Sequence, residues 1–597
     1  MRGHSWSLTI TKEKAISIPD PLDRHSYHRG LQWIGLALVL IFYVVSILRL
    51  HPTNLFGMTQ DDTIYFSSAK ALATGNGYIS PNLPGAPPAT KYPILYPWIL
   101  SWVWRWNSSF PSNLNDALGI SVIFGVAYVT LAFLFLRRLR GISDTEALLL
   151  TAFCALHPTI LFYSSSILSD IPFSALALGA MLVANQAMRR EAGSAGALGC
   201  GFLTGLSMLM RILGVPIAAG ILTAALARRA WKQAGIYAAS TAPFFAWTAW
   251  RAIAAGQAEM PPGFDSAGPA FQRTWVYYTS YIAFRKLSMA NTHLVETILL
   301  SQLTYFFTEL PAYFLSPLFH RNIVLLFVCT VAVFWMIFAG MVRQARCAEW
   351  QPIQYALPYT VAVIISWDYP EVQRFLIPFL PLFAASLWIE GKWSAAQLAA
   401  AMRVRRSALE TAFAAGLGVA ICAFGLGIAW NFVANEDRAE QRRSSIDRAA
   451  LLAEKREAYD WLRRNAPEDA RVVAGEDGSL YLYTGRLAMA HIALQRAGAY
   501  DEAYMREDLE HVTDVAKAIG AQYWLAAPDD SDKQWMAAKP FLAARFCEIE
   551  NALPEVFRSS GGHVRIYGLG CVQHPEVPAC QANDRALFPM GSENLSP

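Results

Sequence analysis

Over its first three quarters the chain alternates long apolar runs with short basic connections, and then the pattern changes. Apolar runs fall at about 31–50, 117–136, 145–163, 168–188, 196–210, 212–227, 233–255, 321–341, 352–367, 374–390 and 408–431. A helix crossing a bilayer upright needs about 20 residues, so most of these runs have spanning length. The pair 196–210 and 212–227 is shorter. The pattern predicts an α-helical polytopic membrane protein of about 11 transmembrane helices. The first run follows a polar segment and has no small-residue cleavage site after it, so it reads as an uncleaved anchor.

The basic residues set the expected orientation. Lys12, Lys14, Arg24 and Arg29, then Arg137-Arg138-Arg140, Arg189-Arg190, Arg228-Arg229-Lys232, Arg343-Arg346, and Lys392 with Arg403, Arg405 and Arg406 fall on one side of an 11-span arrangement. The excess of Lys and Arg on cytoplasmic loops assigns that side to the cytoplasm. Counting the short pair as two crossings keeps the Arg228 cluster there. The expected layout is a cytoplasmic tail 1–30, a transmembrane domain 31–431 and an extracytoplasmic domain 432–597, in the manner of a bacterial inner-membrane protein with a periplasmic C-terminal domain.

Two outer loops, 51–116 and 256–320, are longer than connection requires, which marks them for function. The first reads as a helix from Asp62 to Thr74 stopped by Gly75-Asn76-Gly77, a Pro-rich turn (Pro81, Pro84, Pro87, Pro88), and an aromatic segment from Tyr92 to Trp106. Trp98, Trp102, Trp104 and Trp106 suit a helix lying along the membrane surface. The tail alternates helical stretches (about 451–465, 501–518 and 532–546) with strand-like runs at Arg471–Ala474, Tyr523–Ala526, Val556 and Val564–Tyr567, the pattern of a small α/β domain.

Composition sharpens this division. The chain is 54% hydrophobic and 16% charged, with a mean hydropathy of +0.28, which excludes a string of soluble domains. Residues 1–431 hold 30 Lys/Arg against 19 Asp/Glu, whereas 432–597 hold 19 against 26: a body of net +11 and a tail of net −7. The overall charge of +4 is neither large nor localised enough for a nucleic-acid partner. Cys547, Cys571 and Cys580 permit one disulfide in an oxidising compartment.

Candidate chemistry collects on the expected outer face. Asp61-Asp62 stands just ahead of the surface helix, where acids cap free N–H groups and where a carboxylate pair also suits a general base. Asp170, in Ser169-Asp170-Ile171-Pro172, opens the fourth run with the same two readings. Lys91 and Arg374 are each open to a reading as a snorkelling anchor or a ligand contact. Arg211 divides the two short runs and requires a buried partner or an anionic ligand.

Together these residues resemble a family. Asp61-Asp62-x-x-Tyr65, then Gly75-x-Gly77-Tyr78, then Lys91-Tyr92-Pro93-x-x-Tyr96-Pro97, is similar to the first outer loop of GT-C membrane glycosyltransferases, nearest to the protein O-mannosyltransferases and the lipid A aminoarabinose transferases. The likeness continues through Ser169-Asp170, Gly205 to Arg211-x-x-Gly214, and Arg374-Phe375-x-x-Pro378-x-x-Pro381. The resemblance implies that Asp61 is the catalytic base with Asp62 beside it, that Asp170 is the second acid of the site, and that Lys91 and Arg374 meet donor phosphate. Tyr65, Tyr92 and Arg211 join them as candidate substrate-binding residues. Asp62 stands where Asp-Glu is usual, and Lys-Tyr-Pro where Lys-Pro-Pro is common.

Position supports the same chemistry. A sugar donor outside the cytoplasm is expected to be a polyprenyl-phosphate sugar, reached from membrane lipid, and the acceptor can be lipid, glycan or protein. One base then suffices for inverting displacement, while cations stabilise the departing phosphate. No cofactor is required. The Asp61-Asp62 pair is compatible with a divalent cation, and no metal-ligand spacing is present. Zinc-protease, ATPase and serine-hydrolase motifs are absent from the sequence. The alternatives are a transporter or flippase of a lipid-linked glycan, disfavoured by the lack of an internal repeat, and an inactive scaffold of the same fold.

Overall fold

The computed structural model describes residues 27–50, 52–57, 59–189, 193–256, 292–315, 323–347, 350–367, 372–401, 448–490, 512–528 and 540–569, with single positions 271, 275, 276, 278, 279, 506, 509 and 510. The helical body runs α1 (Tyr27–Arg49), α2 (Gln60–Ala73), α3 (Leu95–Trp106), α4 (Leu114–Leu136), α5 (Asp144–Ala155), α6 (Pro158–Ser164), α7 (Asp170–Ala187), α8 (Ser194–Met210), α9 (Gly214–Ala227) and α10 (Trp231–Gly256). It continues through α11 (Thr292–Leu315), α12 (Ile323–Arg346), α13 (Gln351–Ser366), α14 (Gln373–Leu376) and α15 (Leu380–Ala401).

Ten of the eleven apolar runs coincide with helices, and 408–431 lies outside the described residues. Among the described residues four helices are long and apolar enough to cross a membrane, within Gly30–Arg49, Leu114–Leu136, Phe327–Arg346 and Gln373–Ala401, or five if α5 and α6 form one bent span. Helices α8 and α9 are shorter apolar helices. The run 145–163 is not one straight helix: α5 and α6 meet at a 62° bend. Pro158 supplies no N–H there, and the His157 ring nitrogen Nδ1 accepts from Thr159 N at 3.2 Å to start α6 afresh. The segment 256–320 contains a further helix, α11, which the apolar pattern missed because Glu296, Gln302 and Glu309 dilute its hydropathy.

Small residues permit close packing, as the repeated glycines of 196–220 lead one to expect. A Cβ at Gly205 would collide with the Phe244 ring, and one at Gly201 would collide with Ser240 and stand 2.9 Å from the Tyr237 carbonyl, so α8 lies directly against α10. On α3, Tyr96, Leu100, Val103 and Trp104 face inward and Trp98, Trp102 and Trp106 outward. Trp104 thus departs from the expected surface belt: its position, four residues after Leu100, puts it on the buried stripe, and its indole N–H donates to Phe66 O at 3.0 Å.

The tail is an α/β unit: α16 (Arg448–Asn465), β1 (Arg471–Ala474), α17 (Asp477–Thr484), β2 (Leu487–Met489), α18 (Val512–Ala518), β3 (Tyr523–Ala526), α19 (Pro540–Asn551), β4 (Glu555–Arg558) and β5 (Arg565–Gly568). Strand order is β2-β1-β3-β5-β4. Strand β1 pairs in parallel with β2 and β3, and β5 runs antiparallel to β3 and β4. The tail closes on the long loop that follows α1. Ala488 N donates to Asn82 O at 2.8 Å, Leu83 is buried among tail residues, and Gly478 has no Cβ because Thr63 occupies that space.

Candidate active site

The turn that opens α2 sorts the acidic pair into two different roles. Thr59 precedes the helix and makes no side-chain capping bond. Asp62, buried, accepts from Gly57 N at 2.9 Å and Thr63 N at 2.7 Å, so its carboxylate is committed to the entry of the loop. Burial lifts its carboxyl well above the usual range, and the charge of Glu476 adds to the lift. Asp61 is rotated about 100° round the same helix and faces elsewhere. Its Oδ2 accepts from Arg374 Nη2 at 3.0 Å, and its Oδ1 accepts from the Tyr92 hydroxyl. Burial would raise this carboxyl, but the Arg374 guanidinium, then Lys91 and the Tyr92 bond, outweigh it and hold it below its usual value.

Asp170 stands at the first turn of α7, yet it binds arginines and not helix amides. Arg374 reaches it with both arms of its fork, Nε to Oδ1 at 3.0 Å and Nη2 to Oδ2 at 2.9 Å, and Arg211 Nη1 pairs with the same Oδ1. Ser169 caps nothing either; its hydroxyl meets the Tyr65 hydroxyl at 2.9 Å. Asp170 and Arg374 are 2% and 8% exposed, so neither ion is tolerable alone. Removing one partner of such a buried pair costs about 3–5 kcal/mol. The partner that Arg211 requires is therefore Asp170, at the point where α8 ends and its backbone turns extended.

Lys91 closes the third side. It is buried, with its ammonium 5.5 Å from the Tyr92 ring and 5.8 Å from the Tyr278 ring, geometry that favours a cation over aromatic faces. Burial brings it down to about 8 against the opposing charges of Asp61 and then Asp477. Tyr65 packs between Tyr92 and Tyr96, at ring distances of 4.7 and 5.2 Å.

Of the eight residues singled out from sequence, seven gather here: Asp61, Asp170, Arg211, Arg374, Lys91, Tyr92 and Tyr65. The Asp62 carboxylate turns away, so the acidic pair does not act as one chelating unit in this arrangement. Among the described residues no group of three or more His, Cys, Asp or Glu side chains could hold a metal ion. Cys547 is a free, exposed thiol, and Cys571 and Cys580 lie outside the described residues. Sequence reasoning missed Asp477, fully buried, which accepts from Gln60 Nε2 at 3.2 Å and from Asn82 Nδ2 at 2.9 Å. Its signal was an acidic pair, Glu476-Asp477, set between glycines directly after a strand.

No family model and no curated protein matches the chain. It is similar to solved structures of ArnT from Cupriavidus metallidurans bound to undecaprenyl phosphate, at 14% identity over 90% of this chain and 98% of that one, TM-score 0.46. It is also similar to the archaeal oligosaccharyltransferase AglB from Archaeoglobus fulgidus in complex with an inhibitory peptide and a dolichol-phosphate, at 13% identity over 91% and 75% of the two chains, TM-score 0.48. A structure of the Archaeoglobus fulgidus oligosaccharyltransferase with Zn and sulfate matches at 16% identity over 89% and 73%, TM-score 0.47.

Proposed function

We propose that the chain is a membrane glycosyltransferase that moves a sugar from a polyprenyl phosphate to an acceptor at the extracytoplasmic face, with inversion at the anomeric carbon. One observation carries this reading: the Asp61 carboxylate, on the long first outer loop, is held between Arg374 and Tyr92 with Lys91 close by. A carboxylate surrounded by cations matches a reaction that takes a proton at one atom and releases a phosphate at another.

In this scheme the donor phosphate lies between Lys91 and Arg374, and the acceptor hydroxyl or amine faces Asp61. Asp61 takes the acceptor proton as the acceptor attacks the anomeric carbon, and the C–O bond to phosphate breaks on the opposite side. The phosphate leaves as an anion stabilised by Lys91 and Arg374. Asp170 and Arg211 hold the Arg374 fork in place. Donor binding also prepares the base. Phosphate competes for the cations that hold Asp61 below its usual value, so its proton affinity rises once the donor is seated. The tail, packed on the same loop, shapes acceptor entry, and the N-terminus stays on the cytoplasmic side of the inner membrane. No step needs a metal.

The experiment is direct. Membranes containing the protein are incubated with radiolabelled polyprenyl-phosphate sugars, and lipid, glycan and protein fractions are extracted. Label should enter one fraction and be lost with Asp61→Asn. Failure of every fraction to acquire label, across hexose and pentose donors, removes this function.

A further inference from the structure

The scheme above uses no residue of the tail, yet the tail places a buried carboxylate beside the donor cation. Asp477 begins α17 and is fully buried where the tail meets the outer loop. Its two oxygens accept from two loop residues with different tasks. Gln60, bonded to Oδ1, is the first residue of α2 and immediately precedes Asp61; Asn82, bonded to Oδ2, belongs to the Pro-rich turn that leads to Lys91. Tyr278 ties these together: its ring lies under the Lys91 ammonium, while its hydroxyl accepts from Gln60 Nε2 at 2.8 Å and from the tail amide Ala490 N at 3.2 Å. Among the described residues the charged groups around Lys91 are Asp61 from α2 and Asp477 from α17, and the faces beside it are the rings of Tyr92 and Tyr278.

From this placement we infer that Asp477 is a positioning residue of the transfer site: it fixes the first turn of α2 through Gln60 and the Pro-rich turn leading to Lys91 through Asn82, so that the tail sets the base and the donor cation relative to each other. The active site is then completed across more than 380 residues of sequence, and the tail is part of the donor site and not only of the acceptor entrance. This inference rests on the donor-site reading of Lys91.

The electrostatic sign is definite. Burial favours neutral Lys91, and each neighbouring carboxylate opposes that tendency. Removing the charge of Asp477 therefore lets Lys91 lose its proton at lower pH. Docking is less affected by Asp477→Asn, because the amide oxygen still accepts one bond and the Gln60 or Asn82 amide can turn to meet the introduced NH₂.

Burial pushes the Asp477 carboxyl up to about 6, so binding of undecaprenyl phosphate to the full-length protein in detergent is measured from about pH 7 to about pH 10, where Asp477 is charged and Lys91 titrates. Wild-type affinity should fall as pH passes about 8. Asp477→Asn should move that fall down by about 1 pH unit, the lower end of what one neighbouring opposite charge contributes. Asp477→Glu should leave it in place. Lys91→Arg should remove the fall in either background, since a guanidinium does not titrate in this range. Asp477→Ser, smaller and neutral, makes the same prediction as Asp477→Asn if the latter does not accumulate. A fall that stays at the wild-type pH in the neutral variants shows that Asp477 only docks the tail, and overturns the inference while leaving the donor site standing. Wild-type protein that fails to bind undecaprenyl phosphate at any pH removes the donor-site reading, and the inference falls with it.

Discussion

Replacing Asp61 by Asn tests the proposed base with little change of shape. The carboxylate accepts two bonds, from Arg374 Nη2 and from the Tyr92 hydroxyl. An amide has one acceptor oxygen. If that oxygen faces Arg374, the NH₂ faces Tyr92, whose hydroxyl can turn its proton away and accept. Both contacts survive, but each loses its charge assistance, about 1–2 kcal/mol in stability by the difference between charged and neutral hydrogen bonds. Arg374 keeps its two bonds to Asp170, so the ion network persists. Removing a general base typically costs 100- to 10,000-fold, or about 3–5 kcal/mol of barrier. Transfer should therefore fall by about 100-fold or more while the protein accumulates normally. The assay is release of radiolabelled sugar from polyprenyl phosphate to acceptor, run near about pH 6.5, because loss of the Asp61 charge also lowers the Lys91 pKa and would confound an alkaline measurement. Transfer within about 10-fold of wild type, accompanied by a lower melting temperature, would assign Asp61 a purely structural role and refute the reasoning.

The other predictions follow from the same geometry. Asp62→Asn should lower the melting temperature more than the rate per folded molecule, because Asp62 binds the amides of Gly57 and Thr63; a selective loss of rate would return it to the catalytic set. Arg211→Ala leaves Asp170 one arginine short and should destabilise by about 3 kcal/mol or more, read as reduced accumulation and thermal stability in detergent. A reporter fused after residue 431 should be active only outside the cytoplasm; cytoplasmic activity would invert the proposed orientation and remove the lipid-linked donor with it.

Much of the body was legible because hydrophobicity is written locally. An apolar run of about 20 residues predicts a helix whatever its neighbours are. What local pattern hid was interruption and context. Pro158 and the His157 cap break one run into two helices, and two glutamates disguised α11 as loop. Trp104 looked like its exposed neighbours because a belt of tryptophans has the same composition on either face of α3; only the helical phase separates them.

The site shows the same division more sharply. Asp61, Asp170, Arg211 and Arg374 were each individually conspicuous, since a charge at the edge of an apolar run needs a reason. Their pairing was not readable, because Arg374 reaches partners more than 200 residues away and Arg211 reaches one on the preceding helix, through the approach of α2, α7, α8 and α14. The pairing also explains why capping failed as an account of Asp61 and Asp170. An N-cap binds amides of its own helix, whereas both side chains spend their lone pairs on guanidinium or hydroxyl groups from elsewhere in the chain. Asp62, chemically identical and adjacent, does bind amides, so position on the helix and not residue type separates the proposed base from the brace. Asp477 was the hardest to see, because an acid at a strand–helix junction of an acidic domain is ordinary until the tail folds back onto Gln60 and Asn82. Its burial then acquires a cause: solvent is excluded by the closure of the tail over the loop, and the same closure strengthens every charge interaction around Lys91.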